Sequence, residues 1–176
     1  MNGYFQLDIR ADGTYLMCFP PTDDGAPISF SEVSRYLRDL GLVDYDTKSV
    51  NDAIISDEQN VVRIAPSLGH EESGMMDLDI SGDYMKAIVR FYPPSVHGSR
   101  LTKSDIIESL KKQRVKFGIK EDVIKSFIAN PQYCTDYVIA EGEPLVQGQN
   151  GSIEYFFETQ KNLRPKLNED GTVDYH

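Results

Sequence analysis

At 176 residues, with 40% hydrophobic and 26% charged side chains, the chain can bury a real core in one or two small domains. Its formal net charge of −10 disfavours nonspecific binding to nucleic acid or an anionic membrane, since both need a positive surface. Two cysteines, Cys18 and Cys134, lack Cys-x-x-Cys spacing and exclude a disulfide scaffold, and no run approaches the ~18 apolar residues of a membrane span.

Residues 4–9 alternate Tyr4, Gln6 and Asp8 against Phe5, Leu7 and Ile9, which predicts a strand with one apolar face. Ala11-Asp12-Gly13 supplies a hairpin turn, and Thr14 to Phe19 reads as the returning strand. Pro20-Pro21 ends it, because proline has no N–H for the ladder. After a polar loop bent at Gly25, Ser29 and Glu32 have capping-box spacing. Val33, Tyr36, Leu37 and Leu40 then fall on one helix face, and Gly41 is the expected stop. A short helix follows from about Thr47 to Ile55, then a strand at Asn60–Ala65 and another at Met75–Ile80.

The same text then recurs. Phe19-Pro20-Pro21, Gly25, Ile28-Ser29, Ser31-Glu32-Val33 and Leu37 return at a constant offset of 73 residues. Their partners are Tyr92-Pro93-Pro94, Gly98, Leu101-Thr102, Ser104-Asp105-Ile106 and Leu110. Such self-similarity marks an internal duplication. The second copy keeps the helix start and the stripe Ile106, Ile107 and Leu110, but carries Arg114 where the first copy has Gly41. A second short helix is expected over about Lys120–Ala129, with Val123, Ile124, Phe127 and Ile128 buried, then strands at Tyr133–Ala140 and Ser152–Phe157. Ser81-Gly82-Asp83 is a hairpin turn and not a hinge.

The predicted fold class is therefore α+β. Two strand-strand-helix-helix-strand-strand repeats share the strand at 75–80, with antiparallel sheet covered by amphipathic helices. Repeat one spans about 4–80 and repeat two about 75–158, within a domain over 1–160. Residues 161–176 read as an extended, polar tail with an Asp170-Gly171 turn.

The carboxy-terminal third carries a resemblance. Ile139-Ala140-Glu141-Gly142-Glu143-Pro144, Gly148-Gln149-Asn150-Gly151 and Ile153-Glu154-Tyr155-Phe156 resemble the signature of the flagellar assembly protein A family. Asn168 to Tyr175 resembles the segment that leads into a β-solenoid in that family, and the Pro-Pro, Gly and Ser-x-x-acid block fits its amino-terminal region. The likeness spans nearly the whole chain. It implies a bacterial cytoplasmic protein whose globular region precedes a solenoid and helical segments, and the family name links it to flagellar assembly. The N-terminal text has no signal-peptide character, which agrees with a cytoplasmic location.

Chemistry is sparse. The loop Gly142 to Gly151 is followed by a strand and by no Gly-Lys-Ser/Thr, so it fits neither a P-loop nor a dinucleotide fingerprint. Pro20, Pro21, Gly25, Pro93, Pro94, Gly98, Gly142, Pro144, Gly148 and Gly151 are read as turn residues. His70, His97 and His176 have no ligand at metal spacing, and no nucleophile motif appears. Asp77-x-Asp79 on a strand puts two carboxylates on one face, as a palm-like metal-dependent nucleotidyl transferase would need. Lys111, Lys112, Arg114, Lys116, Lys120 and Lys125 form a basic stretch that the first copy lacks. Five of them, Lys111, Lys112, Arg114, Lys116 and Lys120, are a candidate interaction face, for protein or for nucleic acid. The favoured expectation is a non-catalytic adaptor or scaffold module with protein partners, no cofactor and no membrane insertion.

Overall fold

The computed structural model describes residues 1–144, 148, 151, 154, 166–167 and 169–174. The chain divides into two compact units, Met1–Pro144 and Leu145–His176. The first contains β1 (Tyr4–Arg10), β2 (Gly13–Phe19), α1 (Phe30–Asp39), α2 (Thr47–Ile55) and β3 (Asn60–Ala65). These are followed by β4 (Met75–Ile80), β5 (Lys86–Tyr92), α3 (Lys103–Lys112), α4 (Glu121–Ala129) and β6 (Asp136–Glu141). In the second, β7 (Lys166–Leu167) pairs antiparallel with β8 (Val173–Asp174). Their connection includes Gly171 at φ 84° and Asp170, which accepts from the Thr172 N–H at 3.0 Å. The expected strand at 152–157 and most of the 161–176 tail lie outside the described residues.

The fold is α+β, with two antiparallel three-stranded sheets ordered β1-β2-β3 and β4-β5-β6. Their registers superimpose. Leu7 faces Leu16 in the first hairpin, and at the duplicated positions Leu78 faces Val89 in the second. The β2–β3 register shifts between Thr14 and Tyr15, and the β5–β6 register shifts between Ala87 and Ile88, again 73 residues on. A bulge retained at the same step of both copies belongs to their shared backbone plan and is not a local defect. The strand over 75–80, expected in both repeats, pairs with β5 among the described residues. Each repeat thus closes as strand-strand-helix-helix-strand.

Alternation builds the cores. Phe5, Leu7, Leu16, Cys18 and Ile64 point inward from the first sheet onto Val33, Tyr36, Leu37 and Val50. Val89, Phe91 and Ile139 meet Ile106, Leu110, Ile124 and Phe127 in the second. Val123 and Ile128, expected inside, are respectively half-buried and 40% exposed; Ile128 keeps the i, i+3, i+4 spacing of Ile124 and Phe127 but sits in the last turn of α4. The predicted strand at 133–140 begins only at Asp136. Cys134 sits at φ 53° and turns the chain before it.

The paired glycines have one cause. A Cβ on Gly25 would lie 2.0 Å from the Met1 carbonyl oxygen, and one on Gly98 would lie 1.9 Å from that of Glu72. Both loops therefore need glycine for close backbone approach. Among the described residues no helix is long and apolar enough to cross a membrane.

Candidate functional site

Two places gather polar side chains: a cleft where the repeats meet, and the loop after α3. The cleft starts from a helix cap. Ser29 accepts from the Glu32 N–H at 3.2 Å, as its spacing predicts. The Glu32 carboxylate does not return to the cap. It accepts from Arg90 Nη1 at 3.1 Å and from the Tyr92 hydroxyl at 3.2 Å, both in the second repeat. In the second copy Thr102 and Asp105 form the complete capping box. The difference lies in the partners within reach: Glu32 meets both a guanidinium and a tyrosine hydroxyl, and each bond it makes is to the second repeat.

Around Glu32 the network continues. Arg35 Nη2 lies 2.8 Å from Asp77 Oδ2 and 3.2 Å from the Tyr92 hydroxyl. Arg90 Nε lies 2.7 Å from Asp136 Oδ1. Burial alone would lower the Arg90 pKa, but the hydrogen bond to Asp136 and the charges of Glu32 and Asp136 hold it above its ordinary value. Burial raises the pKa of Tyr92 and of Tyr36. Arg35, Asp77, Asp79, Ile88, Arg90 and Asp136 line an open cleft of about 390 Å³. Asp77 and Asp79 thus share one face, as alternation predicts, and Asp77 is tied to Arg35. Among the described residues no three His, Cys, Asp or Glu side chains converge on a point that could hold a metal ion.

The same junction seals the outer edge of β1. Val96 N–H donates to the Leu7 carbonyl at 2.9 Å, and Gln6 Nε2 donates to the Pro94 carbonyl at 2.9 Å. The Cys134 thiol is pushed up to about 12 by burial, with the Phe5 N–H pulling the other way. Tyr92 and Cys134 belong to the core of the first repeat, so the two copies share apolar as well as polar contacts. The turn residues Pro93 and Pro94 are buried, whereas Pro20 and Pro21 are partly exposed. Pro144, Gly148 and Gly151 are exposed. Gly142 N–H donates to the Met85 carbonyl at 2.8 Å.

The basic residues separate into two groups. Lys112 pairs with Glu108 at 2.9 Å and Lys120 with Glu141 at 2.6 Å, while Lys103 pairs with Glu121 at 2.7 Å. Lys120 holds the Glu141 carboxyl below its ordinary pKa, and Lys103 does the same for Glu121. Lys111, Arg114 and Lys116 are exposed and have no ion-pair partner among the described residues. Arg114 and Lys116 border a hollow of about 250 Å³ with Ile80, Tyr84, Lys86 and Phe117. Sequence reasoning found the cations but missed Tyr84 and Phe117. Both lie in short connections where a lone aromatic carries no periodic signal.

Among curated proteins and among solved structures, nothing matches the chain. The family model described as Flagellar Assembly Protein A N-terminal region matches residues 76–176. That stretch runs from β4 to the end of the chain, so it holds the second repeat, and the first repeat is joined to it by the duplication. With more than half of its length matched, the chain belongs to the Flagellar Assembly Protein A N-terminal region family.

Proposed function

We propose that the chain is a non-catalytic adaptor module of a bacterial, cytoplasmic protein resembling flagellar assembly protein A, acting through protein contacts. The observation that carries this reading is the use of the cleft acids. Asp77 is bound to Arg35 and Glu32 to Arg90, two ion pairs that join the repeats, and Asp136 holds the same Arg90 within the second repeat. Of the acids lining the cleft, Asp79 is the one without an ion pair among the described residues, and a single carboxylate is a weak divalent-cation site. On this reading a duplicated domain over 1–160 precedes a tail, 161–176, that leads toward a solenoid.

Calorimetric titration with Mg²⁺ and Mn²⁺ tests the absence of chemistry. Only heats of dilution are expected. A stoichiometric site abolished by Asp79→Ala would establish the competing transferase reading instead.

A further inference from the structure

We propose that the surface formed by Ile80, Tyr84, Lys86, Arg114, Lys116 and Phe117 docks an acidic peptide segment carrying an aromatic or aliphatic anchor. The inference rests on the adaptor reading and names its surface and the chemistry of its partner.

Three elements present this surface: the turn between β4 and β5, the loop between α3 and α4, and the end of β6. Tyr84 is 84% exposed and Phe117 66%, with Ile80 beside them. Grouped exposed aromatics around a hollow mark an interaction site more often than scattered ones. The loop is held at both ends. Val115 N–H donates to the Leu110 carbonyl at 2.9 Å, and Glu141 N–H donates to the Gly118 carbonyl at 3.1 Å. Gly118 sits at φ 67°, and a Cβ there would lie 1.9 Å from the Glu141 carbonyl oxygen. Phe117 and Lys116 therefore project from an anchored frame, which lowers the entropy lost on binding.

The first repeat acts as an internal control. Its equivalent loop, residues 38–44, reads Arg-Asp-Leu-Gly-Leu-Val-Asp, against Lys-Lys-Gln-Arg-Val-Lys-Phe at 111–117. Both loops close their helices in the same way. Gly41 N–H donates to the Arg38 carbonyl and Leu42 N–H to the Leu37 carbonyl; Arg114 and Val115 repeat those bonds to Lys111 and Leu110. Gly41 has φ 78° and Arg114 has φ 66°. A left-handed conformation costs a non-glycine residue roughly 1 kcal/mol. The fold thus closes at least as well with glycine, and the arginine needs another reason. Tyr84, at φ 58°, carries the same cost on the other side of the hollow.

Charge selects the partner class. Arg114 and Lys116 lack ion pairs among the described residues, and the lining's acid, Glu141, is held by Lys120. The surface is positive on a chain of net charge −10. A nucleic acid would meet that wider negative field along its length, whereas a short acidic peptide meets only the patch. The aromatics supply the anchor contacts that dominate such interfaces.

The test is an NMR titration of the isotope-labelled chain with a short peptide alternating glutamate with phenylalanine and leucine. A lysine-for-glutamate version and an oligouridylate serve as comparisons. Saturable shifts confined to 80–86 and 114–117 are expected, weakening as salt rises. Arg114→Gly combined with Lys116→Glu should weaken binding by about tenfold or more. The Arg114→Gly single variant should bind less tightly while melting no lower than the parent. Shifts on another face, or binding indifferent to both variants, would overturn this surface and leave the adaptor reading standing. No binding of the acidic peptide, or equal binding of the lysine version, would likewise overturn it. Tighter binding of the oligouridylate at the same residues would overturn the acidic-peptide assignment and the adaptor reading together.

Discussion

Arg114 and Gly41 hold the same backbone position one residue past a helix cap, and only one of them is a glycine. Arg114→Gly is expected to raise stability by roughly 0.5–1 kcal/mol, read as a higher urea midpoint at unchanged slope. A lower midpoint would mean that the arginine side chain stabilises the fold by packing. The two thiols make a second residue-scale prediction. Burial pushes Cys18 from 9.0 up to about 11 and Cys134 up to about 12. Between those values the folded chain keeps protons that the unfolded chain releases. Their contribution is therefore complete below pH 9.0 and falls as pH rises through about 11 and then 12. The raised pKa values of Tyr36 and Tyr92 act in the same direction. The urea midpoint should drop steadily above pH 9.0, and Cys134→Ala should flatten the slope. A midpoint independent of pH across that window would remove burial as the cause.

At the scale of elements, α1 and β5 are joined by Glu32 and Arg90, whose side chains are 10% and 31% exposed. Met17 stands in the first repeat where Arg90 stands in the second. Arg90→Met should cost roughly 2–3 kcal/mol, because it leaves a largely buried carboxylate with Tyr92 as its remaining partner. Adding Glu32→Gln should cost less than the sum of the two single changes, a coupling that a double-mutant cycle in urea would measure. Additive costs would show that the pair does not bridge the repeats. The helices themselves were legible from spacing. Ser29 and Thr102 cap them, and the stripes Val33, Tyr36, Leu37 and Ile106, Leu110 are buried. The destination of Glu32 was not legible. Capping-box spacing describes a local competition for one amide, and a guanidinium 58 residues away won it. The start of β6 was misplaced for a related reason. Tyr133 and Cys134 have the composition of a strand, but Cys134 takes a positive φ and its thiol is buried in the core of the first repeat instead of continuing the ladder.

For the whole molecule, the duplication separates what maintains shape from what differs between copies. The paired residues at offset 73 recur as strand ends, bulges, close glycines and helix caps, and these were readable from the letters alone. The surface hollow was not, because Tyr84 and Phe117 become neighbours only when two distant connections converge. The claim that shared letters carry the fold and unshared letters carry the binding can be tested by transplanting residues 38–44 into positions 111–117. The account predicts one cooperative unfolding transition, at a midpoint no lower than the parent's, together with loss of acidic-peptide binding. A transplanted chain that fails to fold, or one that binds the peptide as before, would contradict it.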